Sequence, residues 1–568
     1  MIRQRQAHVD AQHWQGQPEL LARLYSARGL QAEDLQLRLQ GLLPPRLQGI
    51  DVALELLLVA RQQQSSVLIC GDFDADGATA TALMVLALRS YGYEHVDFCV
   101  PHRLTMGYGL SPALVESILA GGGADVLITV DNGIASYEGV ELAKAAGMQV
   151  LITDHHLPGE RLPPADVIVN PNLASCPFPS KHLAGVGVAF YLMAALRTQL
   201  QSSWPGRDWP SAASWLDLVA LGTVADMVSL DRNNRILVEQ GLQRLRRGAC
   251  RPGLKALIEM AGLTPERLQA SDLGFYLAPR LNAAGRLEDM RQGIEFLLED
   301  SPEVALTMAE ELDLLNKERR QIEASMQAQA QALLPRLDLG AAPQQSVVLY
   351  DRQFHAGVIG ILAGRLKEKH HCPVVVFADA EQPGELKGSA RSMPGVHMRD
   401  LLAWVDAHNP GLIIRFGGHA MAAGLSLARQ GLERFRQQLQ RAVQETCAAE
   451  LFARVLWHDG ALAAEDLNVA TARLLQRAGP WGQGVPEPRF IGEFLVLEQR
   501  LLQERFLKLT LGLDHDNSVF DGIWFQPDLG HWPTTARRVR LVYALELNYF
   551  RGRESLQLRI ERAEPIAA

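Results

Sequence analysis

The stretch from Ser66 to Gly92, SVLICGDFDADGATATALMVLALRSYG, contains a short apolar run, an acidic turn and a long segment of helix formers. A run of four to six apolar residues broken by Gly reads as a buried strand, and ATATALMVLALRS as the helix that follows it. The same alternation continues through VDFCV (96–100), ADVLITV (124–130), YEGVELAKAAG (137–147), MQVLIT (148–153) and ADVIV (165–169). Strands alternating with helices predict a doubly wound, mainly parallel sheet, so the fold class is α/β.

Residues 185 to about 300 read as mostly helical, and PEVALTMAEELDLLNKERRQIEASMQAQAQALLPRL, with no Gly and apolar residues at three-to-four spacing, predicts one long connecting helix. A second α/β unit follows, with strands SVVLY (346–350) and PVVVF (373–377) flanking the helix GVIGILAGRLKEKH (357–370). Beyond residue 455 the pattern turns to β-type alternation in FLKLTLGL, VFDGIWF, RVRLVYALELNYF and SLQLRI, which suits a small barrel of OB type or a sandwich. A chain of 568 residues has length enough for several packed units.

Composition excludes little beyond disorder and fibre. Hydrophobic residues make up 48% and charged residues 21%. No window has the apolar length of a membrane span, and the first residues lack a signal-type apolar core, so the expectation is a cytoplasmic protein with no membrane association. The six cysteines form no C-x-x-C pair, which argues against a zinc ribbon or a disulfide framework. A net charge of −9 weighs against nucleic acid only weakly, because a groove can be basic inside an acidic chain and metal-binding carboxylates add negative charge of their own. Eight of the 55 basic residues are Lys, so cationic contacts fall mainly to Arg.

Four acidic or histidine motifs lie at or near predicted strand ends: Asp72-Phe-Asp74-Ala-Asp76-Gly77, Asp131-Asn-Gly133, Asp154-His155-His156, and Asp226 in GTVADM. Singly, each has a bland explanation as an Asx turn, a cap or a surface pair. Jointly, they would meet at the carboxyl edge of an open α/β sheet, where ligands bind. Hard divalent cations require several oxygen ligands and a carboxylate able to bridge, and imidazole is tolerated if the metal is Mn²⁺. Asp74 and Asp76, on alternate positions of one turn, suit two neighbouring metals. Asp131 suits the bridge, and His155 with Asp226 would complete a shell. Such a pair of metals activates water for in-line attack on phosphorus without a covalent nucleophile.

GDFDADG, VDNG, TDHH and GTVADM, in this order, resemble the four motifs of the DHH phosphoesterase superfamily. PRLNAAGRL (279–287), GSARS (388–392) and FGGHAMAAGL (416–425) look like the RecJ family and its DHHA1 domain. The resemblance implies two Mn²⁺ or Mg²⁺ ions, Mn²⁺ favoured, on Asp74, Asp76, Asp131, His155 and Asp226, with His156 beside the scissile phosphate and Asp154 and Asp72 in catalytic roles. It implies contacts to DNA from Arg103, Arg280, Asn282, Arg286, Ser389, Arg391 and His419, with Arg103 at a terminal 5′ phosphate. The implied activity is 5′-to-3′ exonucleolytic hydrolysis of single-stranded DNA to 5′-mononucleotides, in repair and recombination, by a monomer. Single-strand-binding protein and a RecQ-type helicase are implied as partners. Expected boundaries are an N-terminal helical segment (1–65), a DHH domain (66–300), a connecting helix (301–340), a DHHA1 domain (341–450) and an OB-like nucleic-acid-binding domain (455–568). The rivals are a DHH phosphodiesterase of short oligonucleotides or cyclic dinucleotides, and a catalytically inactive DNA-binding scaffold.

Overall fold

The computed structural model describes residues 1–8, 14–103, 106–334, 345–503, 505–514, 516–527, 532 and 536–566. The chain opens on a strand, β1 (Ile2–Gln4), where only helix was expected. Three residues of such sequence carry no periodic signal, and β1 exists because it has a distant partner.

The first large unit is a five-stranded sheet of β2 (Val67–Cys70), β3 (Val96–Cys99), β4 (Val126–Val130), β5 (Gln149–Thr153) and β6 (Val167–Val169). Its order is β3-β2-β4-β5-β6 and every pairing is parallel. β4 is buried at all five positions, as a parallel strand covered on both faces should be. The chain leaves β2 towards β3 and then returns to the other side of β2 for β4. That reversal opens a crevice at the carboxyl ends of β2 and β4.

Helix α1 (Ala75–Ser90) runs back from this crevice, and Asp74 caps it by accepting from the Asp76 and Gly77 amides. Thirteen of its sixteen residues are buried, because α2 (Gly185–Ser203) and α3 (Leu216–Ala225) pack on it. Then come α4 (Ala278–Leu287), entered through a wide turn at Leu273–Leu277, and the 32-residue connecting helix α5 (Pro302–Leu333). The expected end of that helix beyond residue 334 and the first residues of the next unit, to 344, lie outside the described residues.

The second α/β unit holds β7 (Val347–Tyr350), α6 (Ile359–His370), β8 (Val374–Asp379), β9 (Glu385–Arg391), β10 (Ile413–Gly418) and β11 (Ala422–Ala428), in the order β10-β11-β9-β8-β7. Only β7 and β8 are parallel; the rest is antiparallel. β12 (Leu456–His458) pairs parallel with β1, which ties the start of the chain to the last unit. There, β13 (Phe490–Leu502), β14 (Phe506–Leu513), β15 (Asp516–Trp524), β16 (Arg538–Phe550) and β17 (Arg553–Pro565) close into a barrel of order β13-β14-β15-β17-β16, with β15 and β17 parallel. This is the OB arrangement, and the sandwich alternative is ruled out. Among the described residues, no helix is long and apolar enough to cross a membrane.

Candidate metal centre and anion cradle

The acidic motifs meet at the crevice. Asp72 lies two residues beyond β2, while Asp131 and Asp154 follow β4 and β5 directly, and Asp226 lies just past α3. Ligand atoms of Asp72, Asp74 and Asp131 lie within 4.8 Å of one another, as do those of Asp76, His155 and Asp226, and those of Asp131, Asp154, His155 and His156. Asp131 and His155 thus connect an oxygen-rich cluster to one that includes imidazole. Asp72 belongs beside Asp74 and Asp131, a placement the motif alone does not decide.

Backbone geometry sets these positions. Asp131 has φ 63°, a left-handed conformation unusual for a residue with a side chain, and its amide is held by the Thr153 carbonyl at 3.1 Å. Gly185 allows α2 to start against it, since a Cβ there would lie 2.4 Å from the Asp131 Cβ. The Gly185 and Val186 amides donate to the two Asp76 oxygens at 2.6 and 2.9 Å. A helix start thereby offers its free N–H groups to a metal-site carboxylate.

Burial raises these acids. Asp72 is pushed up to about 8 by desolvation and the neighbouring Asp74. Asp76 and Asp226 are each pushed up to about 7 by desolvation, reinforced for Asp76 by Asp226 and for Asp226 by Asp74. Asp131 is raised well above the carboxylate range by burial and by Asp76 and Asp74. So many carboxylates in one dry pocket favour a cation there. Two buried atoms point the same way: Asp131 Oδ1 and His155 Nε2 lie 3.0 Å apart, yet among the described residues neither makes a hydrogen bond. Buried polar atoms without partners are rare, and a divalent ion would satisfy both. The residues fit Mn²⁺ or Mg²⁺.

Asp154 is fully engaged. Its Oδ1 accepts from the His155 and His156 amides and lies 2.7 Å from His156 Nδ1, while its Oδ2 accepts from the Ile134 amide at 2.9 Å. Burial opposes the charge on His156, but the charge and hydrogen bond of Asp154, with the charges of Asp226 and Asp72, together outweigh it and lift the imidazole to about 9. The ring stacks on His419 with centroids 5.0 Å apart, and its Nε2 is 3.3 Å from the Tyr108 hydroxyl. Burial and the charge on His156 push His419 down to about 4, so it is the neutral member of the stack.

Beside the metal turn lies a cationic recess. The Arg103 guanidinium sits over the ring of Phe73, the residue between Asp72 and Asp74 in sequence, at 4.7 Å. Arg391 donates to Ser389 Oγ at 3.1 Å, and a Cβ on Gly360, at the start of α6, would lie 2.9 Å from Arg391 Nη2 and 3.0 Å from that hydroxyl. Arg286 donates to the Gly357 carbonyl at 3.2 Å. Burial, and then the field of Arg103, push Arg286 down to about 9 and Arg391 to about 10. Among the described residues, none of these three guanidiniums forms an ion pair with a carboxylate. Buried cations that repel one another at a helix start suit an anion.

Two expected DNA contacts have other partners. Arg280 is buried, with Nε 2.8 Å from Asp313 Oδ1 of α5 and Nη1 donating to the Tyr276 carbonyl, so it braces helices. The Asn282 Oδ1 accepts from the Ala75 amide at 2.8 Å and holds the metal turn. Gly285 serves the same contact, since a Cβ there would lie 2.1 Å from the Phe73 carbonyl. Of the Arg-Leu-Asn-Ala-Ala-Gly-Arg segment only Arg286 faces the recess. Sequence reading missed Tyr108 and Phe73 as site residues. Both are aromatic residues without spacing of their own, and the Gly residues flanking Tyr108 are the single local cue.

Residues 66–223 match the DHH family N-terminal domain, 344–445 the DHHA1 domain and 458–562 the RecJ OB domain. The chain is 51% identical over 557 residues to the single-stranded-DNA-specific exonuclease RecJ of Dickeya dadantii, covering 97% of this chain and 96% of that one. It is 48% identical over 561 residues to the protein of that name in Escherichia coli, covering 97% and 96%. The structure of RecJ in complex with Mn²⁺ from Thermus thermophilus superposes with a TM-score of 0.80 at 30% identity, covering 97% of this chain and 76% of that one. The Mg²⁺ complex from the same organism gives 0.75 at 28% identity, covering 97% and 75%. With an acidic cluster, a cationic recess and an OB barrel in one chain, and with the Dickeya and Escherichia relatives matched along nearly their whole length, the protein belongs to the RecJ family of single-stranded-DNA-specific exonucleases.

Proposed function

We propose that this protein hydrolyses single-stranded DNA from its 5′ end, releasing 5′-mononucleotides in DNA repair and recombination. The observation that carries the reading is the adjacency of recess and metal centre: Arg103, which lines the recess, lies on Phe73, the residue between Asp72 and Asp74. A terminal phosphate held by Arg103, Arg286, Ser389 and Arg391 leaves the next phosphodiester at the carboxylates, so the unit released is one nucleotide.

Asp72, Asp74, Asp76, Asp131, His155 and Asp226 would hold divalent metal, which would supply a deprotonated water at neutral pH and stabilise charge on the phosphoryl oxygens. The chain supplies the rest. Asp154 fixes Nδ1 of His156 and maintains its charge, so Nε2 is left to donate to a phosphoryl oxygen as negative charge develops. His419, stacked behind it, limits its rotation. Asn170 and Asn172 hold the His156 and His155 carbonyls at 2.9 and 2.5 Å, which fixes the loop.

The closed barrel suits a polymer rather than a dinucleotide. Phe506 and Phe525 meet edge to face on it, and Phe525 is exposed, which suits stacking on a base. Trp524 and Phe490 are core. A cytoplasmic monomer, supplied with single strands by a RecQ-type helicase and single-strand-binding protein, would be the working form. The test is mononucleotide release from 5′- and 3′-labelled single strands in Mn²⁺, compared with chelator and with Asp131→Ala. Release confined to dinucleotide substrates would refute the reading.

A further inference from the structure

Along β9, Glu385, Lys387, Ser389 and Arg391 occupy alternate positions, while Leu386, Gly388 and Ala390 between them are buried. Period-two alternation places the first four on one face. Ser389 and Arg391 belong to the anion recess. Lys387 does something else: its Nζ donates to the backbone carbonyl of Arg103 at 3.1 Å, from the second α/β unit to the first.

Burial, then Arg103 and Arg415, lower the Lys387 pKa, and the charge of Glu381 opposes them. A cation among guanidiniums gains little from Coulomb attraction, so its attachment to Arg103 is directional. Arg103 is thus held at two points, its side chain on Phe73 of the metal turn and its main chain on β9.

We infer that Lys387 is a positioning residue: by fixing the Arg103 carbonyl it sets that guanidinium at the recess and makes recognition of a 5′-terminal phosphate depend on docking of the second α/β unit. The inference rests on the recess being the terminal-phosphate site, as proposed above. Loss of the contact frees the Arg103 segment and weakens binding of phosphorylated ends selectively. Plain structural damage would lower activity on every substrate alike.

The test compares kcat/KM of the Mn²⁺-loaded full chain on 5′-phosphorylated and 5′-hydroxyl single strands, for Lys387→Met, Lys387→Ala, Lys387→Arg, Arg103→Ala and Arg391→Ala. Amide hydrogen exchange of the segment around Arg103 is followed in parallel without DNA. Expected are an about tenfold fall of the phosphate-to-hydroxyl ratio in Lys387→Met and Lys387→Ala, expressed in KM, retention within about twofold in Lys387→Arg, and faster exchange around Arg103 in the first two. A ratio that falls in Arg391→Ala but in neither Lys387→Met nor Lys387→Ala overturns the positioning role and leaves the recess intact. A fall in the Lys387 variants with unchanged exchange also overturns it, since Lys387 would then act through charge alone. If Arg103→Ala and Arg391→Ala both leave the ratio unchanged, the recess reading fails and takes this inference with it.

Discussion

Asp131 Oδ1 and His155 Nε2 face each other across 3.0 Å inside the protein without a hydrogen bond between them. The pair is arranged for a third atom. Asp131→Asn keeps the shape but removes a carboxylate that burial and its acidic neighbours already disfavour. Activity should fall by at least about 10³-fold, as expected when an oxygen ligand central to metal-assisted chemistry is lost. The metal-free variant should nevertheless melt about 2 °C higher than the parent, because one source of like-charge repulsion is gone. A variant that is both inactive and less stable in the metal-free state would argue that Asp131 is a structural residue.

Metal binding should be strongly pH-dependent. Asp72, at about 8, and Asp76 and Asp226, at about 7, have raised values in the folded, metal-free protein. An acid raised on folding costs nothing below its unfolded value near 4; the penalty grows as pH rises and is complete above the folded value. The metal-free protein should therefore lose stability between about pH 4 and 8 on account of these groups. Mn²⁺ displaces their protons, so its affinity and its effect on the melting temperature should both be larger at pH 8 than at pH 6. Calorimetric titration in buffers of different ionisation enthalpy measures the released protons directly. A Mn²⁺ affinity that is flat over this range would contradict the electrostatics of the site.

The Asp154–His156 pair predicts a shift in the pH–rate profile. With Asp154 in place the imidazolium of the metal-free protein persists to about 9. In Asp154→Asn, burial acts unopposed by that carboxylate, so the ring loses its proton at lower pH and the alkaline fall in kcat should move down with it. At neutral pH the loss in kcat should be about 10²- to 10³-fold, comparable to removal of a preorganised donor. An unshifted alkaline limb would mean that His156 does not act as a charged donor.

Arg280 separates fold from function. Arg280→Met breaks a buried pair with Asp313 and leaves that carboxylate next to Lys317 alone. Stability should fall by about 1–3 kcal/mol, because Lys317 still partners Asp313. Affinity for single-stranded DNA at a temperature where the variant is folded should stay within about twofold of the parent. A selective loss of DNA binding would show that Arg280 also contacts DNA.

The parallel sheet, the connecting helix and the barrel were legible in sequence because each depends on a local period: apolar runs in β4 and β5, three-to-four spacing in α5, alternation in β14 and β16. The acidic and histidine cluster was legible because Asp and His residues recur at strand ends. What sequence did not reveal depends on distant partners. β1 is a strand only because β12 lies beside it. Arg280 and Arg286 stand in one motif, yet one meets Asp313 and the other the recess, a difference set by which helix face packs on α5. Lys387 looks like any strand lysine until the second unit docks against Arg103.

The most direct test of the central account is the fate of a uniformly single-stranded oligonucleotide carrying distinct labels at its 5′ and 3′ ends, incubated with the Mn²⁺-loaded protein and sampled before one turnover is complete. The account predicts that the first product is the 5′-terminal mononucleotide, that the 3′ label remains on the shortened polymer, and that chelator or Asp131→Ala abolishes the release. Early release of the 3′ label, or equal release from a blunt duplex, would contradict it.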